Sequence, residues 1–99
     1  MLGCASSPTT RVNPYSWDDP YWKAQNYESK DPESVIVKEG DLKRNYRKVA
    51  MICTEGGPKD KQEAFNLMRS RLAEIGADAV IKVRKKKNMN YEGIVVLFD

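Results

Sequence analysis

A small α+β domain of order β-β-α-β-β, a mainly antiparallel four-stranded sheet with one helix packed on one face, is what this sequence predicts. Three observations carry the prediction. Apolar residues recur at spacings of three and four over residues 64–75, the mark of a helix with one buried face. That helix meets Gly76 and runs into the β-branched stretch Ala79, Val80, Ile81, Val83, which is too short for a second helix and reads as a strand. Two further apolar runs, residues 46–54 and 91–98, are set off by Gly56-Gly57 and by the polar residues 86–90.

Taken in order, residues 1–12 read as a processing site and flexible tether. Leu2-Gly3-Cys4, followed by Ala5-Ser6-Ser7-Pro8, resembles the end of a bacterial lipoprotein signal peptide, in which a small residue precedes a cysteine that is acylated and becomes the mature N-terminus. Cys4 is therefore the lipidation candidate, and the lipid on it the expected attachment to a membrane. Ala5 after the cysteine implies, by resemblance to enterobacterial sorting, the outer membrane with the domain facing the periplasm. The competing reading is a plain cysteine in a polar tail.

Residues 13–33 form an aromatic-rich irregular segment. It holds Tyr15, Trp17, Tyr21, Trp22 and Tyr27, both tryptophans among them, while Asn13-Pro14 and Asp19-Pro20 forbid a long helix or strand. The aromatics have three readings. They fold back to complete a small core; or Tyr15, Trp17, Tyr21 and Trp22 form an exposed surface for a partner protein; or they insert at a membrane interface beside the anchor.

Residues 34–99 form the domain. Val35, Ile36 and Val37 make a short first strand, and Leu42, after the turn at Gly40-Asp41, tucks under the sheet. The second strand, 46–54, is apolar on both sides and hence central, with Val49, Met51 and Cys53 on one face and Ala50 and Ile52 on the other. Asp60 followed by Glu63 is a capping-box pattern opening the helix. Its apolar stripe is Phe65, Met68, Leu72 and Ile75, widened by Ala64 and Leu67, and its end falls at Ile75 or Gly76, where glycine takes a left-handed conformation. The third strand covers residues 79–85 and the last 91–98, with Gly93 at a bulge. One helix leaves one sheet face open, so Ala50 and Ile52 need cover from the aromatic segment or from a second subunit.

The run LAEIGADAVIKV, through Ala73, Gly76, Ala77, Asp78, Ala79, Val80 and Ile81, resembles the YbjQ/RcsF-like group of small bacterial proteins over residues 35–98. The resemblance implies an envelope-sensing lipoprotein or, for soluble members, a ring-forming oligomer. RcsF-type sensors use paired cysteines, whereas this domain has Cys53 alone, so the disulfide mechanism does not carry over. Nor does the metal role of some soluble relatives, for want of a ligand cluster.

The inventory points away from catalysis. The chain has no histidine, which removes the commonest general base and metal ligand, and Cys53 sits in an apolar strand as packing. The prediction is therefore a non-enzyme with no cofactor and no metal. Charge is divided: up to Ser34 three bases face five acids, a net −2, and beyond it 14 bases face nine acids, a net +5. Lys82, Arg84, Lys85, Lys86 and Lys87 form a basic run that is either a solvated strand edge guarded by lysine or an anion-binding site. Without a pair of stacking aromatics, sequence-specific nucleic-acid reading is disfavoured. Two functions follow: a noncatalytic envelope lipoprotein that binds another envelope protein, or a cytosolic nucleic-acid-binding domain acting through the basic run.

Overall fold

The computed structural model describes residues 7–24 and 27–99. Five strands, one more than the sequence predicts, form a single mixed sheet: β1 (Thr9–Pro14), β2 (Ile36–Val37), β3 (Tyr46–Glu55), β4 (Ala79–Lys85) and β5 (Tyr91–Phe98), in the order β1-β3-β5-β4-β2. Two helices accompany them, the short α1 (Pro20–Ala24) and the main helix α2 (Lys61–Ile75). Pairing is antiparallel except between β2 and β4, which run parallel.

The unforeseen strand is β1. Four residues read as tether, Thr9 to Val12, belong to it, and it pairs antiparallel with β3 from Thr9 opposite Glu55 to Pro14 opposite Ala50. β1 gives β3 its second neighbour, so β3 is paired along both edges. Its own composition is polar, with Val12 the one large aliphatic side chain, and Pro14 stands at its end, where a missing N–H costs nothing.

Helix α2 forms where the periodicity places it. Asp60 accepts a hydrogen bond from the Glu63 N–H at 2.8 Å, while the Glu63 carboxylate reaches past Asp60 to the Lys59 N–H at 2.9 Å, so the capping box is displaced by one residue. Ala64, Met68, Leu72 and Ala73 are buried, Phe65 and Ile75 half-buried. Leu67 departs from the predicted stripe and lies half-exposed among Gln62, Asn66 and Ser70. Gly76 ends the helix in the left-handed region, at φ 69°, with its N–H turned back to the Ala73 carbonyl. A side chain there would also meet the Glu28 carbonyl oxygen at 2.5 Å, so glycine is required twice over.

Two bulges set which residues reach the core. In β3 the register shifts between Lys48 and Ala50, so Val49 is the extra residue, and both Val49 and Ala50 are buried. The consequence reverses one expectation: Ala50 and Ile52 face the helix side, in one core with Met68, Leu72, Val80 and Val95, and Met51 is left on the open side. In β4 the shift lies between Ile81 and Arg84, where Lys82 (φ 54°) and Val83 oppose Gly93 of β5. The bulge therefore belongs to β4, not to Gly93 itself. Gly93 is what admits it, since a Cβ there would lie 2.5 Å from Val80 Cγ1 and 3.0 Å from Val83 Cγ2.

The aromatic segment packs back, on the same side of the sheet as α2. Trp22 is 4% exposed and donates its indole N–H to the Val49 carbonyl at 3.0 Å. Tyr21 and Tyr27 pack against it, with ring centroids 4.7 Å and 5.9 Å from that of Trp22, and the Tyr21 hydroxyl donates to the Ile75 carbonyl that the end of α2 leaves unpaired. Asp19 fixes the start of α1, accepting from the Tyr21 N–H at 2.9 Å and pairing with Arg47 of β3. The opposite face receives less cover: Leu42, Tyr46 and Phe98 close over Ala79, Ile81 and Val96, and there the cover stops.

Candidate functional site

The alternation of the strands assembles an uncovered patch on the face away from both helices. One row across four strands reads Arg11, Cys53, Glu92, Arg84; the next reads Asn13, Met51, Ile94, Ile81. Ile81 disappears beneath Leu42, but Met51 is 36% exposed, and Ile94 and Cys53 are half-exposed. A shallow depression lies between Met51, Ile94, Gly93, Lys82, Arg84 and Glu92.

Charge encloses this apolar centre. Arg84 donates from Nε and Nη2 to one Glu92 oxygen at 3.1 Å and 3.0 Å, and Lys86 Nζ lies 3.8 Å from the other. Arg11 pairs with Glu55 at 3.8 Å, and Lys82 with Asp41 at 3.9 Å. Asp41 is also the acceptor of the Tyr46 hydroxyl at 2.6 Å; that bond first, then the Leu42 N–H, holds the Asp41 carboxyl below the usual carboxylate range and pushes the Tyr46 phenol up. Exposed pairs of this kind contribute little to stability, about 0–1 kcal/mol each.

The residues singled out by sequence divide. Of the aromatic set, Trp22 and Tyr21 are committed to the core, whereas Tyr15 and Trp17 are 53% and 69% exposed on the turn before α1. A surface made of all four does not form; it is reduced to Tyr15 and Trp17, the latter edge-on to Trp22. The basic run divides as well. Lys82 and Arg84 border the patch with acidic partners, while Lys85, Lys86 and Lys87 continue into the β4–β5 hairpin. Cys4 lies outside the described residues. Cys53 is a free, half-exposed thiol at the patch's edge.

Sequence reasoning missed Met51, Ile94 and Arg11 as a group. The signal was present only in part: β3 alternates correctly from Ala50 onward, but the bulge at Val49, which decides which face each residue takes, leaves no mark in composition. The patch holds an apolar centre and paired charges, and among the described residues no three of His, Cys, Asp and Glu gather as metal ligands would. No described helix is long and apolar enough to cross a membrane.

Compared with protein-family models, curated proteins and solved structures, the chain matches none.

Proposed function

We propose that this protein is a noncatalytic domain of a bacterial envelope lipoprotein, tethered through Cys4 to the outer membrane on its periplasmic side, that binds another envelope protein across the open patch of its sheet. The observation that supports the reading is the patch: Met51, exposed, and Ile94, half-exposed, lie side by side on a sheet face bordered by Arg11, Lys82 and Arg84, each paired with an acid. An apolar centre within a polar rim is how protein interfaces are built. The partner is a protein that presents an apolar side chain within a polar surround. The tether rests on Leu2-Gly3-Cys4 and the small-residue spacer, and kinship with the YbjQ/RcsF-like group rests on LAEIGADAVIKV.

The cytosolic nucleic-acid reading is the weaker one. Single-stranded recognition needs exposed aromatic rings on which bases stack, and Tyr91, the aromatic nearest the basic run, is 7% exposed. Lys82 and Arg84 already face Asp41 and Glu92.

A photo-crosslinking residue placed at Met51, with Gln62 on the outer side of α2 as control, tests the binding surface in living cells. The expected result is a discrete crosslinked species from position 51, absent from 62 and abolished by Ile94→Asp. Equal crosslinking from both positions, or none from 51, would overturn the patch as an interface.

A further inference from the structure

The chain enters the fold beside the basic β4–β5 hairpin. Ser7 and Pro8 lie against Gly56, where an added Cβ would sit 3.1 Å from Pro8 Cα and 3.7 Å from the Ser7 carbonyl oxygen. The next residue, Gly57, touches the tip of the β4–β5 hairpin: its N–H donates to Asn90 Oδ1 at 2.9 Å, and a Cβ there would lie 4.0 Å from Met89 Cβ. The segment 84–92 of that hairpin carries four cations, Arg84, Lys85, Lys86 and Lys87, against one acid, Glu92, a net +3. The whole chain is also +3, so the rest of the molecule sums to zero. A net +3 thus lies at the end where the N-terminal segment enters the fold; a second basic run, Lys43, Arg44, Arg47 and Lys48, lies elsewhere in the chain. Within the hairpin Glu92 pairs with Arg84 and Lys86, and among the described residues Lys85 and Lys87 have no acid within 4.0 Å. At the tip Met89, held at φ 70°, leaves its side chain 51% exposed.

We propose that the β4–β5 hairpin is a membrane-docking site, in which Lys85, Lys86 and Lys87 engage the anionic headgroups of a bilayer and Met89 enters the headgroup layer. The inference rests on the proposed tether at Cys4. Three residue steps separate Cys4 from Ser7, a reach of at most about 10 Å, which is close to the distance of about 8–10 Å over which charges act in physiological salt. A bilayer holding an acyl chain on Cys4 is therefore within electrostatic range of the hairpin. Docking this end orients the sheet away from the membrane and leaves the patch around Met51 open from the side. It also accounts for a concentration of lysine beyond what guarding a sheet edge requires, because residues 86–90 form the turn and lie outside the strands.

Each lysine near an anionic surface raises binding by roughly fivefold, so replacing all three lowers it roughly a hundredfold. The test uses the full chain as Cys4→Ser, which carries no lipid, sedimented with phosphatidylcholine vesicles containing or lacking phosphatidylglycerol. Binding to the phosphatidylglycerol vesicles alone, weakened by salt and by about two orders of magnitude in Lys85→Ala/Lys86→Ala/Lys87→Ala, is the expected result. The control triple, Lys23→Ala/Lys30→Ala/Lys43→Ala, removes the same charge at the far end and should lose much less. Equal loss in both triples, binding independent of phosphatidylglycerol, or tighter binding of a single-stranded RNA oligomer than of vesicles would each overturn the proposal. Because this chain has no lipid, hairpin-dependent binding survives even if native Cys4 proves unmodified; conversely, a lipidated Cys4 with no hairpin dependence defeats the docking alone.

Discussion

Val49 is where the N-terminal segment is locked to the sheet. As the extra residue of a bulge it is released from regular pairing, and its carbonyl accepts both the Trp22 indole N–H and the Tyr15 backbone N–H at 3.0 Å and 3.1 Å. Tyr21 makes the second lock, at the Ile75 carbonyl. Burial pushes the Tyr21 phenol well above its usual range, with Tyr27 and Asp78 adding to the effect. A phenol that titrates higher in the folded state than in the unfolded chain contributes stability that is complete below about pH 10 and is lost as pH rises beyond it. Tyr21→Phe should accordingly cost about 1 kcal/mol at neutral pH through the unpaired carbonyl and flatten the loss of stability above about pH 10. Tyr46, raised by its bond to Asp41, leaves a residual alkaline slope in that variant. Denaturant titrations at pH 7 and at alkaline pH measure both effects, and an unchanged slope in Tyr21→Phe would remove Tyr21 from the account.

At the scale of elements, the segment ahead of residue 31 is part of the fold. It supplies β1, which pairs along β3, and α1, which brings Trp22 into the core beside Met68 and Leu72. Losing a buried tryptophan alone costs about 3–5 kcal/mol, in a domain whose whole stability is of order 5–15 kcal/mol. Deleting residues 1–30 should thus lower the melting midpoint by at least about 12 °C or prevent folding, and a truncated chain that melts within a few degrees of the intact one would contradict this. Much of the architecture was legible in residues: α2 from its spacing, cap and Gly76; β4 and β5 from their β-branched runs; Leu42 as a residue tucked against the sheet, though the cover of the second face was expected from the aromatic segment or a second subunit. What was not legible has physical causes. β1 is an edge strand of polar residues, stabilised by its pairing with β3 rather than by its own propensity. The parallel contact of β2 with β4 is a matter of topology, which two residues cannot signal. The bulge at Val49 inverts the expected faces of β3, and with them the candidate site. The sequence points to aromatics and lysines as binding groups, whereas the patch is centred on Met51 and Ile94, residues that read as ordinary core.

For the whole molecule, the distribution of covered and uncovered surface is the functional statement. Both helices and the aromatic segment lie on one side of the sheet; the loop through Leu42 covers part of the other; Met51, Ile94 and Cys53 remain. A net +3 lies on the β4–β5 hairpin, beside the point where the chain enters β1 from Ser7. Under the proposed function, a tether there and a basic hairpin against the bilayer would hold the domain at a membrane with its open face free for a protein partner. The proposed placement at a membrane depends on Cys4 being the point of attachment. Intact-mass spectrometry of the protein purified from the membranes of its native host tests this most directly: the account predicts a mature chain that begins at Cys4 and carries acyl chains, and a chain in which Gly3-Cys4 is intact and the thiol unmodified would contradict it.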